Sequence, residues 1–145
     1  MYLYEDAFSV MRKLKLPYDD FVQLYKRMLF NECAKNYDDH TKNVTFLMDK
    51  KGVWRLSPAY YMTFSYNKNS TWVKAHQMLI NGKADEITRN DFIKVAKTVG
   101  IKVSDAEKYI DQVKNAVLKW DHYAQEVGLS LKNAEKIKSF FNMEV

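Results

Sequence analysis

The feature that most constrains the fold of this chain is a change in hydrophobic period at residue 44. Before it, apolar residues recur every three or four positions, which is typical of amphipathic helices. Two short runs within residues 44–56 instead follow the period of two that strands show, and helical spacing returns from residue 88. With 4 Gly and 2 Pro in 145 residues, the chain has few helix breakers. We therefore predict one α+β domain, mainly α-helical, over residues 1–145.

Two helices are predicted before the change of period. The first covers residues 4–15, and a proline separates it from the second, at residues 18–36. An apolar stripe marks the buried face of the second helix; it consists of Phe21, Leu24, Tyr25, Met28 and Leu29. The lone cysteine, Cys33, is expected to be a small core residue of the same helix.

A β-hairpin is predicted after the change of period. Its strands are residues 44–48 and 53–56, and the turn between them starts with Asp49 and ends with Gly52, as tight turns prefer. Residues 59–74, rich in Tyr, Asn, Ser and Thr, predict an irregular segment. Residues 76–80 predict a short strand, which a turn at Asn81-Gly82 closes.

Capping signals predict three further helices in the last third of the chain. The predicted N-caps are Thr88 (with Asp91 in a capping box), Ser104 (with Glu107 in a capping box) and Ser130. The second of these helices is expected to be long, because its apolar stripe continues to Ala124. No catalytic pattern is found in this part of the chain.

Composition and charge exclude several classes of protein. The net charge is +5, but the lysines are spread along the chain, which indicates a solvated basic surface and argues against direct nucleic-acid binding. No apolar run approaches the ~20 residues of a membrane span, and the first residues lack a signal-peptide layout. A single cysteine excludes an intramolecular disulfide and fits a reducing compartment. We expect a cytoplasmic protein.

Residues 36–43 contain the densest set of reactive side chains, in the order Asn-Tyr-Asp-Asp-His-Thr-Lys-Asn. Protein-kinase catalytic loops use the interval that separates Asp38 from Asn43. In such a loop the aspartate meets the hydroxyl proton of the acceptor, and the asparagine turns back toward a metal ion on the nucleotide phosphates. Lys42 would add positive charge beside the transferred phosphoryl group. The spacing also occurs by chance, and the hairpin after it strengthens the kinase interpretation.

The pattern Asp38-x-His40-x-Lys42-Asn43, followed by a strand pair and by Leu-Ser-Pro-Ala-Tyr at residues 56–60, resembles the HipA-like serine/threonine kinases. These are the kinase toxins of bacterial toxin–antitoxin modules. Further segments are similar to the same family: Phe30-Asn31, His76-Gln77-Met78 and Asn81-Gly82-Lys83. The resemblance extends from about residue 4 to residue 120, and it implies a kinase C-terminal lobe that is largely helical.

The resemblance also implies roles for the loop residues. Asp38 matches the catalytic base, and Asn43 matches a magnesium ligand at the nucleotide. His40 and Lys42 match positions that support the loop or the phosphates. The family uses ATP and magnesium and phosphorylates protein hydroxyls. The implied partners are therefore a protein substrate and an antitoxin or N-lobe protein.

Two departures from the family pattern predict a loss of activity. Where the family has a magnesium-binding aspartate after Pro-Ala-Tyr, this chain has Tyr61. A tyrosine is neutral near pH 7 and cannot supply the anionic oxygen that magnesium prefers. Upstream of the loop there is no glycine-rich loop and no lysine-bearing strand, so we expect the nucleotide-binding N-terminal lobe to be absent. This polypeptide alone is therefore expected to be inactive, and ATP and magnesium binding, although implied by the family, is in doubt for it.

Simpler interpretations apply to several of these residues. Asp39 is expected to be a solvated acid, His40 a buried and hydrogen-bonded loop anchor, and Tyr61 a residue packed on the core. His76 and His122 are remote in sequence and are interpreted as isolated.

Two alternative functions are kept. A metal-dependent hydrolase could use Asp38, Asp39 and His40, but their spacing does not support it. A non-catalytic binding module could engage an antitoxin-like partner or a separate N-lobe subunit.

Overall fold

Six α-helices and one antiparallel hairpin form the secondary structure. The structure is a computed structural model that describes residues 1–145. In chain order the elements are α1 (Tyr4–Lys13), α2 (Tyr18–Cys33), β1 (Phe46–Met48), β2 (Trp54–Leu56), α3 (Arg89–Val99), α4 (Val103–Val117), α5 (Trp120–Glu126) and α6 (Leu131–Lys138). The prediction of a mainly helical α+β fold is confirmed. None of the helices combines the length and the apolar character needed to cross a membrane.

Helix α2 lies at the centre of the hydrophobic core. All five residues of its predicted apolar stripe are buried. This face packs chiefly against α4, and helices α1 and α3 complete a core of 25 buried residues. Burying one large apolar side chain contributes about 1.5–3 kcal/mol. Helix α2 therefore packs directly on α4 and α1, whereas α3 is held in the core by α4 and α1.

Helix α2 ends at Cys33, earlier than predicted. Lys35 has a φ of 56°, which ends the helical path. The N–H of Asn36 donates to the carbonyl of Asn31, and this bond closes the helix end. Cys33 is fully buried, as predicted, and burial raises the pKa of its thiol to about 12. Because of the early end, Asn36 belongs to the following loop.

The predicted hairpin is confirmed, with somewhat shorter strands. Strand β1 pairs antiparallel with β2 in a register that places Phe46 opposite Leu56. In the turn, Oδ1 of Asp49 accepts two backbone N–H groups. Gly52 has a φ of 80°, which glycine adopts without strain. The turn chemistry seen in the sequence therefore sets the strand register.

A buried carboxylate joins the hairpin to the central helix. Asp20, in the first turn of α2, accepts the backbone N–H of Leu56 at 2.9 Å. It also accepts two N–H groups from the Arg55 guanidinium, each at 2.9 Å. These bonds fix β2 against α2, and they thereby fix the chain that leads into and out of the hairpin.

The strand predicted at residues 76–80 is not formed. The chain makes only isolated bridges there, one of them parallel between Leu3 and Leu79. The period of two reflects alternate burial, with Met78 and Ile80 in the core. Since no strand lies alongside, no ladder can extend from the bridge. The irregular character predicted for residues 59–74 is confirmed.

One of the two predicted capping boxes is confirmed. At the start of α3, the Asp91 carboxylate accepts the N–H of Thr88 at 2.9 Å. The box predicted at Ser104 is wrong, because the N-cap of α4 is Lys102, two residues earlier, and Ser104 lies inside the first turn. Glu107, the assumed partner of Ser104, instead forms an ion pair with Arg89 of α3. A tertiary contact has replaced the local one.

The long helix predicted to reach Ala124 is wrong, because the chain breaks it into α4 and α5. Helix α4 ends at Val117, and α5 begins at Trp120. The indole Nε1 of Trp120 donates to the carbonyl of Ala134 at 3.0 Å, which ties this break to α6. The apolar period continues across the break and did not reveal it. The cap at Ser130 is confirmed, since its Oγ accepts a backbone N–H of α6.

Candidate functional site

The loop with the predicted site residues runs from the end of α2 to β1. A 3-10 turn at Thr41–Asn43 closes its second half, where the N–H of Asn43 donates to the carbonyl of His40 at 2.9 Å. The side-chain Nδ2 of Asn43 donates to the backbone carbonyl of Asp38 at 2.8 Å. Asp38 and Asn43 are therefore brought together at the two ends of one closed loop. The amide oxygen of Asn43 remains free.

The charged side chains of this loop are accessible. The Asp38 side chain is 53% exposed, and its Oδ1 lies 3.7 Å from Nε2 of His40, which is longer than a hydrogen bond. The His40 side chain is 41% exposed, so the prediction of a buried anchor is wrong. Lys42 is exposed. The loop thus presents a carboxylate, an imidazole and an ammonium group on its surface.

Tyr60 and Tyr61 are neighbours with different surroundings. The Tyr60 hydroxyl donates to the carbonyl of Lys42 at 2.9 Å and contacts the Thr45 hydroxyl, which ties it to the loop. Tyr61 is 72% exposed, so the prediction that it packs on the core is wrong. Its φ of 52° lies in the left-handed region, where Asp and Asn occur more often than aromatic residues. The backbone at residue 61 thus suits the aspartate that the family resemblance expects.

A small polar cleft of about 20 Å³ separates the loop, α2 and residues 60–62. Three lining residues have a buried polar atom without a hydrogen-bond partner: Nε of Arg27, Oδ1 of Asn36 and Nδ1 of His40. A buried polar atom without a partner is costly. These atoms favour a small polar group, such as water, in the cleft, which is too small to hold a nucleotide.

The residue after Asp38 is buried in an ionic cluster. Asp39 is 3% exposed, so its prediction as a solvated acid is wrong. Its carboxylate accepts hydrogen bonds from Nδ1 of His76 at 2.6 Å and from the Tyr4 hydroxyl at 2.7 Å. It also accepts the backbone N–H of Gln77 at 2.8 Å. The interpretation of His76 as an isolated histidine is therefore wrong.

The second ring nitrogen of His76 contacts another buried carboxylate, that of Glu32, at 2.8 Å. Glu32 also accepts from the Tyr37 hydroxyl at 2.9 Å, from Lys35 at 2.9 Å and from Asn142 at 2.6 Å. Because ionised carboxylates only accept hydrogen bonds, both ring nitrogens of His76 donate, and the ring is an imidazolium. Two negative charges are then balanced by His76 and Lys35. We call Glu32, His76 and Asp39 together the Glu32–His76–Asp39 cluster.

Burial and hydrogen bonding have opposite effects on the pKa values in this cluster. Burial by itself lowers the pKa of His76, but the hydrogen bonds to Asp39 and Glu32 and the charges of both carboxylates raise it to about 9. Burial by itself raises the pKa of Glu32, but the hydrogen bond from His76 and the charge of Lys35 lower it to about 2. His76 and Glu32 are therefore ionised at neutral pH.

A chain of hydrogen bonds leads from this cluster to Tyr61. The Tyr4 hydroxyl, which donates to Asp39, accepts from Nδ2 of Asn31 at 2.8 Å. Oδ1 of Asn31 accepts from Nδ2 of Asn36 at 2.9 Å. The same Nδ2 donates to the backbone carbonyl of Tyr61 at 3.0 Å. Polar groups thus connect the residue next to Asp38 with the residue at the expected magnesium position.

Sequence reasoning missed this cluster, although a signal for it was present. Asn31, His76 and Gln77 belong to segments that carry the family resemblance. Their contacts could not be derived from spacing, because His76 lies 37 residues from Asp39 and 44 residues from Glu32. The available signal was that Asn31, His76 and Gln77 match the family pattern although no role had been assigned to them.

The geometry does not support the metal-dependent hydrolase. No group of three or more His, Cys, Asp or Glu residues is arranged to hold a metal ion. Asp39 is fully engaged by His76, Tyr4 and Gln77. It cannot turn toward His40 without breaking these buried bonds, so the three-residue site has no basis in the fold.

The loop fits one side of a magnesium–nucleotide site. Magnesium in phosphoryl-transfer sites is commonly held by one or two carboxylates together with substrate phosphates. On the loop, the free amide oxygen of Asn43 is the neutral oxygen of the expected metal ligand, and the exposed Asp38 carboxylate beside it is the expected base. The exposed Tyr61 adds no charge on the other side of the cleft. The donor set is therefore half of the one that the family resemblance implies.

A comparison with protein families agrees with this geometry. The sequence model of the HipA-like C-terminal domain matches residues 1–120. These residues include the loop, the hairpin, the cleft and every residue of the Glu32–His76–Asp39 cluster. No curated protein matches the chain. Because the family model covers most of the sequence and all of the candidate site, the chain belongs to the HipA-like C-terminal domain family.

Proposed function

We propose that this chain is the C-terminal lobe of a HipA-like serine/threonine protein kinase, in a form that is inactive alone. The observation that supports the proposal best is the hydrogen bond from Asn43 to the carbonyl of Asp38. It closes a loop that leaves the Asp38 carboxylate accessible beside a polar cleft. This arrangement suits a group that must meet the hydroxyl of an incoming protein substrate.

Each loop residue has a role in the proposed function. Asp38 accepts the proton of the substrate hydroxyl, and its exposure allows the hydroxyl to approach. Asn43 has a free amide oxygen that would bind magnesium, while its Nδ2 holds the loop closed. Lys42 places positive charge near the phosphates. His40 supports the loop beside the cleft. Bound ATP and magnesium would supply the phosphoryl group and the neutralisation of its charge.

Two features support the proposed loss of activity. Tyr61 stands where the family has an aspartate, and its side chain has no negative charge at neutral pH. The four glycines of these 145 residues are not clustered, so they form no glycine-rich loop that could cover the phosphates. A partner or lobe that supplies this loop would be needed for phosphoryl transfer.

Restoring the acid at residue 61 tests the proposal. We expect Tyr61→Asp to bind ATP in a magnesium-dependent manner at least ~10-fold more tightly than the unsubstituted chain, because one carboxylate is added to the donor set. The measurement is a titration with ATP and magnesium, monitored by calorimetry and by the chemical shifts of the backbone amides. Since the position is exposed and left-handed, aspartate fits its backbone and the variant is expected to fold.

Tyr61→Asn is the matched control, because it has the same backbone preference without the charge. It is expected to bind as weakly as the unsubstituted chain. Equal affinities for Tyr61→Asp and Tyr61→Asn would contradict the proposed metal role of this position. Incubation of the unsubstituted 145-residue chain with ATP, magnesium and a protein acceptor is expected to give no phosphorylation, and turnover would contradict the proposed inactivity.

The alternative proposal is a non-catalytic module that binds a protein partner, such as an antitoxin or a separate N-lobe subunit. It is favoured by an open apolar cavity of about 540 Å³ between α2, α4, α5 and α6, with Phe30, Phe64, Trp120 and Phe141 among its lining residues. Apolar surface of this kind is common at sites of protein association. The same titration separates the two functions, because the module predicts no nucleotide binding by Tyr61→Asp.

A further inference from the structure

We propose that the Glu32–His76–Asp39 cluster and the hydrogen-bond chain through Tyr4, Asn31 and Asn36 form one positioning network, which holds the Asp38–Asn43 loop in place relative to Tyr61. None of these six residues is a catalytic residue in this proposal. The inference deepens the proposed function and rests on it, because the network matters for phosphoryl transfer only if the loop and residue 61 form the two sides of that site.

The network starts at the residue next to the proposed base. Asp38 is largely exposed and Asp39 is buried, so the two adjacent side chains lie on opposite sides of the loop backbone. Three hydrogen bonds of 2.6–2.8 Å hold the Asp39 carboxylate, from His76, Tyr4 and the N–H of Gln77. Since the side chain of Asp39 is fixed, the direction in which Asp38 leaves the backbone is fixed as well.

His76 suits its place between two carboxylates for a chemical reason. A protonated imidazole carries one positive charge and two N–H donors that point in opposite directions. Asp39 takes one donor and Glu32 takes the other, and neither His76 nor the two acids has more than 1% of its side chain exposed. The Tyr37 ring contacts the His76 ring in a tilted arrangement, with 4.3 Å between the centroids and 47° between the planes, and its hydroxyl donates to Glu32. The loop is thereby bonded to α2, the central helix of the core.

At its other end, the network binds the backbone of Tyr61 on the opposite side of the cleft. Nδ2 of Asn36 donates both to Asn31 and to the carbonyl of Tyr61, so the orientation of its amide is determined by two acceptors. Its Oδ1 then belongs to the cleft, where it has no protein partner. The network therefore links the loop on one side of the cleft with residue 61 on the other side. His76, fully buried at its centre, has no access to a ligand, which suits a positioning role.

The test compares two isosteric substitutions of buried acids in the full 145-residue chain. Asp39→Asn removes one acceptor from the network. Asp91→Asn is the control, because Asp91 is equally buried and hydrogen-bonded, by Asn81, Lys83 and Thr88, but belongs to the cap of α3. Both are expected to lower stability. Hydrogen exchange and amide chemical shifts, measured by NMR at pH 7, report on the loop directly.

We expect Asp39→Asn to accelerate exchange of the Asn43 and Val44 amides at least ~10-fold more than Asp91→Asn does, and to shift the amide signals of residues 60–62. The control is expected to leave residues 60–62 unchanged. The proposal is overturned if Asp39→Asn affects neither region, or if both variants affect them equally. A second measurement needs no variant: the ring ¹⁵N shifts of His76 are expected to show an imidazolium at pH 7.5, and a neutral ring would overturn the proposal.

The failure of this inference can be told apart from that of the proposed function. Exchange and shifts in the loop do not depend on nucleotide. If Tyr61→Asp binds no ATP, the kinase proposal fails, while the comparison of Asp39→Asn with Asp91→Asn still decides whether the network positions the loop. If Tyr61→Asp binds ATP, adding Asp39→Asn is expected to weaken that binding, whereas adding Asp91→Asn is not, and equal weakening by the two would contradict the positioning role.

Discussion

Asp38 and Asp39 are adjacent and chemically identical, yet the fold gives them different tasks. Asp38 keeps most of its contact with water, so it remains available to a ligand. Asp39 loses that contact, which a carboxylate tolerates only when several donors replace water. His76, Tyr4 and the N–H of Gln77 supply those donors. An exposed carboxylate and a buried, anchored one are thus separated by a single peptide bond.

At this scale we predict a pH-dependent stability difference between the unsubstituted chain and His76→Gln. The pKa of His76 is raised from 6.5 in the unfolded chain to about 9 in the fold, so its stabilisation is complete below pH 6.5 and is lost as the pH rises through 9. The difference, 9 − 6.5 = 2.5 pKa units, corresponds to on the order of 3 kcal/mol. Urea denaturation between pH 5 and 9 measures it.

At low pH, protonation of Glu32 limits the stabilisation that the ionised cluster provides. The pKa of Glu32 is lowered from 4.5 to about 2, so its contribution is complete above pH 4.5 and is lost as the pH falls through 2. Burial raises the pKa values of Tyr4 and Tyr37, which stay neutral throughout. The advantage of the unsubstituted chain is therefore expected to be largest between about pH 4.5 and 6.5. A difference that stays constant up to pH 9 would contradict the imidazolium assignment.

The hairpin is held against the core by the buried Leu56 and by the hydrogen bond from Leu56 to Asp20. Two isolated strands are at best marginally stable in water. Here β2 is attached to α2 by Asp20, which satisfies the backbone N–H of Leu56 and binds Arg55. The hairpin directly follows the Asp38–Asn43 loop, so its attachment to α2 helps to fix the C-terminal end of that loop.

We predict that Asp20→Ala destabilises the protein by about 2–3 kcal/mol, because it leaves the N–H of Leu56 without an acceptor. Arg55→Ala is the matched control: it removes the other partner of the same carboxylate, but the Arg55 side chain is largely exposed. We expect a clearly smaller loss for Arg55→Ala, because exposed ion pairs contribute little. Thermal or urea unfolding compares the two variants. Equal losses would show that the ion pair, and not the bond to Leu56, attaches the hairpin.

Over the whole molecule, stability is unevenly distributed. Helices α1 to α4 contribute 17 of the 25 buried side chains in the main cluster, whereas α5 and α6 contribute none to it. Helix α6 has one buried residue, Ala134, compared with ten in α2. Its contacts with the rest run chiefly through α5 and through partly buried side chains such as Phe141. The last two helices are thus expected to open without unfolding the core.

Hydrogen exchange measures this difference. We predict that amides of α6 exchange roughly 100-fold faster, or more, than amides in the middle of α2, once intrinsic rates are divided out. The physical reason is the small apolar area that opening α6 exposes. The N–H groups of α2 between Leu24 and Leu29 are expected to exchange only through global unfolding. Protection in α6 equal to that in α2 would show that the chain opens as one cooperative unit.

The sequence by itself determined those features that depend on local spacing. The helical stripe of α2, the hairpin turn at Asp49 and Gly52, and the caps at Thr88 and Ser130 all rest on residues close together in the chain. The Asp38-to-Asn43 interval was recognised for the same reason. The family resemblance added the expected role of residue 61.

The tertiary structure alone decided what each polar residue contacts. His76 joins Asp39 and Glu32 across 37 and 44 residues, and Glu107 pairs with Arg89 where a local cap was predicted. The tertiary structure also decided that the Tyr61 side chain is exposed. The physical reason is common to all these cases. A hydrophobic period specifies a face of an element, but the partner of a charge depends on which elements that face brings together.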